Sequence, residues 1–111
     1  MPLFITQGRY TRDAIKGMVV SPEDRSAAVS RLLAKVGGKL MGYYVTFGDY
    51  DFLVIAEAPG ETQMAAVLLA AASGGGVTDL KTSLALTSVE AKGAMAAASD
   101  LTPSFRSAGG V

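Results

Sequence analysis

Few residue types in this chain can do chemistry, and the missing ones matter most. There is no histidine and no cysteine. That removes the usual haem and zinc ligand, the commonest general base, every disulfide and every thiolate nucleophile. Haem or zinc binding through histidine is excluded, and Ser-His-Asp and Cys-His catalysis are excluded with it. Carboxylates remain. Asp51 and Glu57 fall on one face of an expected strand, but six residues of extended chain put them roughly 20 Å apart. Paired acid/base carboxylates of the glycosidase kind need about 5–9.5 Å. Asp49 and Asp51 are closer, yet both lie in the turn Gly48-Asp49-Tyr50-Asp51. Asp in a turn ordinarily bonds neighbouring backbone N–H groups, so Asp51 reads first as structural. Gly48 reads as backbone geometry closed to other residues, and Tyr50 as a ring packed across the hairpin or against a neighbouring subunit.

The tyrosines Tyr10, Tyr43, Tyr44 and Tyr50 each have an apolar body and a polar tip suited to lining a pocket. The plainer reading makes them ordinary strand residues. The ligand-binding candidates are Tyr10, Tyr44, Thr46, Tyr50 and Asp51. No catalytic residue and no metal ligand is assigned. Arg9, Arg25 and Lys39 would suit an anion, although solvated surface charge is the simpler account. Gly74 to Gly76 follow an expected helix and lack the GK[ST] of a phosphate loop.

These side chains need a scaffold, and 111 residues, half of them hydrophobic, suffice for one domain with one modest core. Ten basic and ten acidic side chains cancel, so charge offers no case for nucleic acid or an anionic membrane. The N-terminus lacks the pattern of a secretory signal. No apolar run approaches the ~20 residues of a membrane span. A soluble cytoplasmic protein without cofactor is expected.

Leu3 to Tyr10 reads as a first strand. Thr11 caps a short helix carrying Ala14, Ile15, Met18 and Val19. Ser21 with Pro22 in the first turn opens a second helical stretch, with Asp24 placed as in a capping box. Its stripe is Ala28, Val29, Leu32, Leu33 and Val36, with Arg25, Arg31 and Lys35 mostly off it. Gly37 and Gly38 end it. Lys39 to Phe47 and Phe52 to Ala58 form a hairpin around the GDYD turn. Pro59-Gly60 opens a helix whose stripe is Met64, Val67, Leu68 and Ala71. Val77 to Ser88 is the last strand, with Leu80, Leu84 and Leu86 on one face and Lys81, Ser83 and Thr87 on the other. The expected division is a domain over residues 1–88, a C-terminal alanine-rich helix over 89–99 and a loose tail over 100–111.

The order β-α-β-β-α-β is the split βαβ, ferredoxin-like arrangement of an α+β fold. It puts both helices on one face of a four-stranded antiparallel sheet. A four-residue loop would pair Phe47 with Phe52, Val45 with Val54 and Tyr43 with Ala56, on the helix side. The other face then carries Tyr44, Thr46, Leu53 and Ile55, with Ile5 or Phe4. An antiparallel sheet with one wet face alternates apolar and polar. This one is apolar on both, and leaving large side chains bare forfeits about 1.5–3 kcal/mol each. Either a second copy covers that face, as in the symmetric dimers that dominate oligomers, or the alanine-rich C-terminal segment folds back over it.

The GDYD turn running into FLVIAEAP, with GGKL before it, the Ser-Pro-led helix with Arg25 and the opening ITQGRYT, resembles the GYD-domain family over about residues 2–88. The motif residues are Gly48, Tyr50 and Asp51. The resemblance implies a dimeric α/β barrel, two ferredoxin-like subunits packed sheet to sheet, and carries over no catalytic residue. The same turn is similar, over a shorter stretch, to the effector-binding domain of Lrp/AsnC-type regulators. No helix-turn-helix precedes the first strand here, so DNA binding is not implied. Other barrel-group members include cofactor-free monooxygenases and isomerases and haem-binding peroxidase-like proteins. Two functions follow as expectations. The first is a homodimeric or higher homo-oligomeric module, joined through the open sheet face, that binds a small organic molecule or a protein without catalysis. The alternative is a cofactor-free, oxygenase- or isomerase-like enzyme using Tyr and Asp in a pocket beneath the helices.

Overall fold

A computed structural model describes residues 1–110. The elements run β1 (Leu3–Tyr10), α1 (Arg12–Val20), α2 (Ser26–Ala34), β2 (Lys39–Val45), β3 (Phe52–Glu57), α3 (Glu61–Ser73), β4 (Val77–Ala85) and α4 (Ser88–Leu101), with a 3-10 turn at Thr102–Ser104. The strands form one antiparallel sheet in the order β2-β3-β1-β4. This is the expected α+β, ferredoxin-like topology.

Burial alternates along β3 with period two, as side chains alternate across a strand. Phe52, Val54 and Ala56 point toward the helices and join Phe4, Leu33, Ala58, Met64 and Val67 in the core. Thr6 is the buried polar residue there, and its hydroxyl pairs with that of Thr82 at 2.8 Å. The register therefore settles one open choice: Phe4 belongs to the core and Ile5 to the opposite face. A Cβ on Gly8 would lie 2.6 Å from the Phe52 ring and 2.7 Å from Leu80. Glycine there is what lets the ring lie over β1.

Three expectations about local structure need correction. The helix opened by Ser21 and Pro22 does not form. Instead α2 starts at Ser26, where the Asp24 carboxylate accepts from the Ser26 N–H at 2.9 Å and from its hydroxyl at 2.7 Å. Asp24 binds the backbone two residues ahead and so moves the helix start past it. These bonds hold its carboxyl below the ordinary value.

The hairpin register is displaced by two residues. Val45 pairs with Phe52, Tyr43 with Val54 and Leu40 with Ala56, with a bulge between Leu40 and Gly42. The loop closes further back than expected. Thr46 N–H donates to the Asp51 carbonyl at 2.8 Å, and the Thr46 hydroxyl donates to the Tyr50 carbonyl at 2.8 Å. Phe47 is left outside the strand and 98% exposed.

The last strand ends at Ala85, short of Ser88. The stronger local signal lies just beyond it: Thr87 and Glu90 form a reciprocal capping box that starts α4 at Ser88. The helix runs to Leu101, past the expected limit at residue 99, and a 3-10 turn follows where loose tail was expected. Val111, the end of that tail, lies outside the described residues. Within β4, Leu84 shares Phe4's row, while Ser83 and Lys81 share those of Ile5 and Gln7, as the alternation requires.

The helix α4 stands away from the body. Each of its residues except Ala91 is exposed. Its one substantial contact is with the 3-10 turn that follows. The radius of gyration is 18.0 Å, against about 13 Å for a compact chain of this length.

Candidate functional site

The two helices on the sheet do not close over it. α2 packs mainly on β2, and α3 mainly on β4, so the middle of the sheet is left beneath a gap. Protein interiors are normally packed without voids much larger than a water molecule. Here a cleft of about 390 Å³ lies between the helices, floored by Thr6, Phe52, Val54 and Ala56. Its walls include Val29, Leu32, Met64, Val67 and Leu68.

At one end stand Tyr10 from β1 and Tyr43 from β2, with their hydroxyls hydrogen-bonded to each other. The Phe52 ring lies 5.0 Å from that of Tyr10 and 6.0 Å from that of Tyr43 between centroids. Burial, and then the bond to Tyr10, push the Tyr43 phenol well above its ordinary value. It stays protonated and can donate. Arg25, at the start of α2, lines the same end and is half-buried.

The turn residues hold this corner in place. Asp51 N–H donates to the Gly8 carbonyl at 2.8 Å, and the Asp51 carboxylate accepts from Tyr10 N–H at 2.9 Å. Arg9 Nε donates to the Asp49 carbonyl at 2.7 Å, and its guanidinium lies 5.6 Å from the centre of the Tyr50 ring. Gly48 sits at φ 139° with open space where a Cβ would be. Conformation rather than crowding calls for glycine there. The hairpin end is thus clamped to the end of β1, and the clamp sets where Tyr10 points.

The five ligand-binding candidates divide. Tyr10, Thr46 and Asp51 meet around a second opening of about 460 Å³ beside α1, which also reaches Tyr43 and Arg25. Tyr44 lies on the opposite face of the sheet, paired with Leu53, its ring over Gly42. Tyr50 packs against Arg9 instead of lining either opening. Two further residues belong to the site. Tyr43, expected on the helix side but left out of the ligand-binding candidates, lines the site; the corrected register keeps its face and moves it along β3 to stand opposite Val54. Arg25 lies on the buried stripe rather than off it; its spacing to Ala28, Val29 and Leu32 (three, four and seven residues) was the available signal.

Among the described residues no three Asp or Glu side chains gather closely enough to hold a metal ion. Among those residues, too, no helix is long and apolar enough to cross a membrane.

The sequence pattern of the GYD domain matches residues 4–95. The chain belongs to the GYD-domain family. The match runs past β4 into α4, so part of the projecting helix falls within the family's span. A Thermus thermophilus protein, described as a glutamine synthetase and cystathionine beta-lyase binding protein, is 31% identical over 77 residues, 69% of this chain and 81% of that one. The crystal structure of TTHA0845, also from Thermus thermophilus, superposes with a TM-score of 0.52 at 18% identity, covering 79% of this chain and 96% of that one. At that identity the likeness speaks for the fold alone. The GYD motif itself has a structural meaning in this chain: Gly48 turns the backbone, Tyr50 packs with Arg9, and Asp51 fixes Tyr10.

Proposed function

We propose that this chain is a cytoplasmic, homo-oligomeric binding module without catalytic activity. A second copy covers the open face of its sheet, and the cleft beneath its helices takes a small organic molecule. The carrying observation is the uncovered face. Its central row runs Gly42, Ile55, Ile5 and Ser83, flanked by Tyr44, Leu53, Gln7 and Lys81 on one side and by Lys39, Glu57, Leu3 and Ala85 on the other. Aliphatic side chains at the middle of a sheet face need a cover. The chain's own C-terminal helix, the alternative cover, stands away from the body. A second copy presents the same surface and can be met on a two-fold axis. That a relative is named for binding other proteins supports an interaction role as well.

A catalytic reading needs a group that exchanges protons near neutrality. Among the described residues the cleft lining holds no carboxylate, and the chain has no histidine or cysteine, so the commonest groups of that kind do not stand there. The test combines mass in solution by light scattering with a thermal-shift screen of small organic molecules. Twice the chain's mass, and a ligand that raises the melting temperature, are expected. A monomer at all concentrations would end the oligomer reading, and turnover of any bound compound would end the non-catalytic one.

A further inference from the structure

We propose that the cleft between α2 and α3 selects an apolar molecule that ends in a single carboxylate, with Arg25 as its counter-ion. This rests on the small-ligand part of the reading above and adds the ligand's chemical class.

The sign of the charge follows from what lines the cleft. Among the described residues Arg25 is the one charged side chain in the lining, and no carboxylate shares it. A cationic ligand would bring its charge against the Arg25 guanidinium in a cleft whose own lining holds no carboxylate, Glu23, Asp24 and Asp51 lining the adjoining opening instead, at a cost set by desolvation and like charge. An anion would meet a guanidinium, whose planar fork matches a carboxylate with two parallel hydrogen bonds. Arg25 is free to respond. Among the described residues its partner is Glu23, with Nη1 3.5 Å from both carboxylate oxygens and side-chain exposures of 39% for Arg25 and 50% for Glu23. Such a pair holds an arginine weakly.

The two phenols act in the same sense. One hydroxyl proton is used between Tyr10 and Tyr43, which leaves the other to donate outward. Burial keeps the Tyr43 side of that pair from ionising. The end of the cleft therefore offers a cation and a neutral donor, both complementary to an oxyanion. The hydroxyl of Thr6, on the floor, is already paired with Thr82.

The remaining wall is aliphatic and aromatic, so the ligand's body is apolar. A cavity of about 150 Å³ admits benzene. At about 390 Å³ the cleft has room for a medium alkyl chain or for a ring with a short tail. One guanidinium suits one negative charge.

The experiment is calorimetric titration of the full chain with octanoate and 4-phenylbutyrate. Octanamide, 4-phenylbutyramide and n-octylamine serve as matched bodies with a different head. Both acids should bind, and both amides should bind roughly ten- to a hundredfold more weakly, the usual reach of a charge-assisted pair. Arg25→Gln should lose the same factor for the acids and nothing for the amides. Arg25→Lys should keep part of it. Unchanged circular dichroism would show that both variants fold. Amides or amine binding as well as the acids, or acids indifferent to Arg25→Gln, would overturn the carboxylate assignment and leave the small-ligand reading standing. If none of the five compounds binds, both fall.

Discussion

Replacing Ile55 by lysine puts an ammonium group into the middle of the uncovered sheet face, between Ile5 on β1 and Gly42 on β2. In a free subunit the change is mild. Ile55 is already half-buried by its neighbours, and a lysine stem can lie along the same surface with its charge in water. A loss of about 1 kcal/mol of subunit stability is expected, within the ordinary range for single substitutions. In a sheet-to-sheet dimer the same ammonium faces a dry apolar surface and its own symmetry mate. Even a modest desolvation cost of about 2 kcal/mol per ion, counted twice by symmetry, is about 4 kcal/mol, roughly a thousandfold in the dissociation constant. Sedimentation velocity over a concentration series measures it. Wild type should sediment as a dimer and Ile55→Lys as a folded monomer, with circular dichroism confirming the fold. Ser30→Lys, on the exposed side of α2, should change nothing. If Ile55→Lys and wild type dissociate at the same concentration, the sheet face is not the contact between copies.

Other consequences concern the corner of the site. Asp51→Ala strips the partly buried Tyr10 N–H of its acceptor and should cost about 1–3 kcal/mol, read from urea midpoints. Asp51→Asn keeps a carbonyl oxygen in place and should recover most of it, which a purely electrostatic role for Asp51 would not allow. Gly48→Ala forces a side chain into φ 139° and should cost about 1–3 kcal/mol, with no repacking, since nothing lies within reach of the new methyl group. The raised phenol of Tyr43 has a signed effect on stability. Its folded-state value lies above the unfolded one, so above about pH 10 the unfolded chain releases a proton that the native chain keeps. Stability should be level below that pH and fall above it, by at most about 1.4 kcal/mol per pH unit for one group. Tyr43→Phe should remove that part of the slope, and a slope between about pH 9 and 11 that the substitution leaves unchanged would refute it.

Much of this molecule is legible in the order of its residues because the deciding forces are local. Alternation in FLVIAE sets which residues of β3 face the helices. The Thr11 cap, the glycines after α2 and α3 and the spacing of Met64, Val67 and Leu68 mark the helices. The element order then leaves the split βαβ topology. The turn GDYD announces its own role, since glycine at a positive φ and an aspartate bonding to backbone are properties of a few consecutive residues.

What lay beyond the sequence depends on contacts between residues far apart in the chain. Asp51 reaches Gly8 and Tyr10, some forty positions away, and the hairpin beside it closes two residues further back, which moves Tyr43 along the same face to lie beside Tyr10 and Phe52. Arg25 looks like surface charge until α2 is seen beside a gap that α3 does not fill. The start of α4 follows from the box between Thr87 and Glu90, but its position away from the body does not follow from any stretch of sequence. Hydrophobic pattern and backbone geometry are written into neighbouring residues. Register, clefts and the path of a terminal helix are settled by which distant surfaces meet, and only the folded chain decides that.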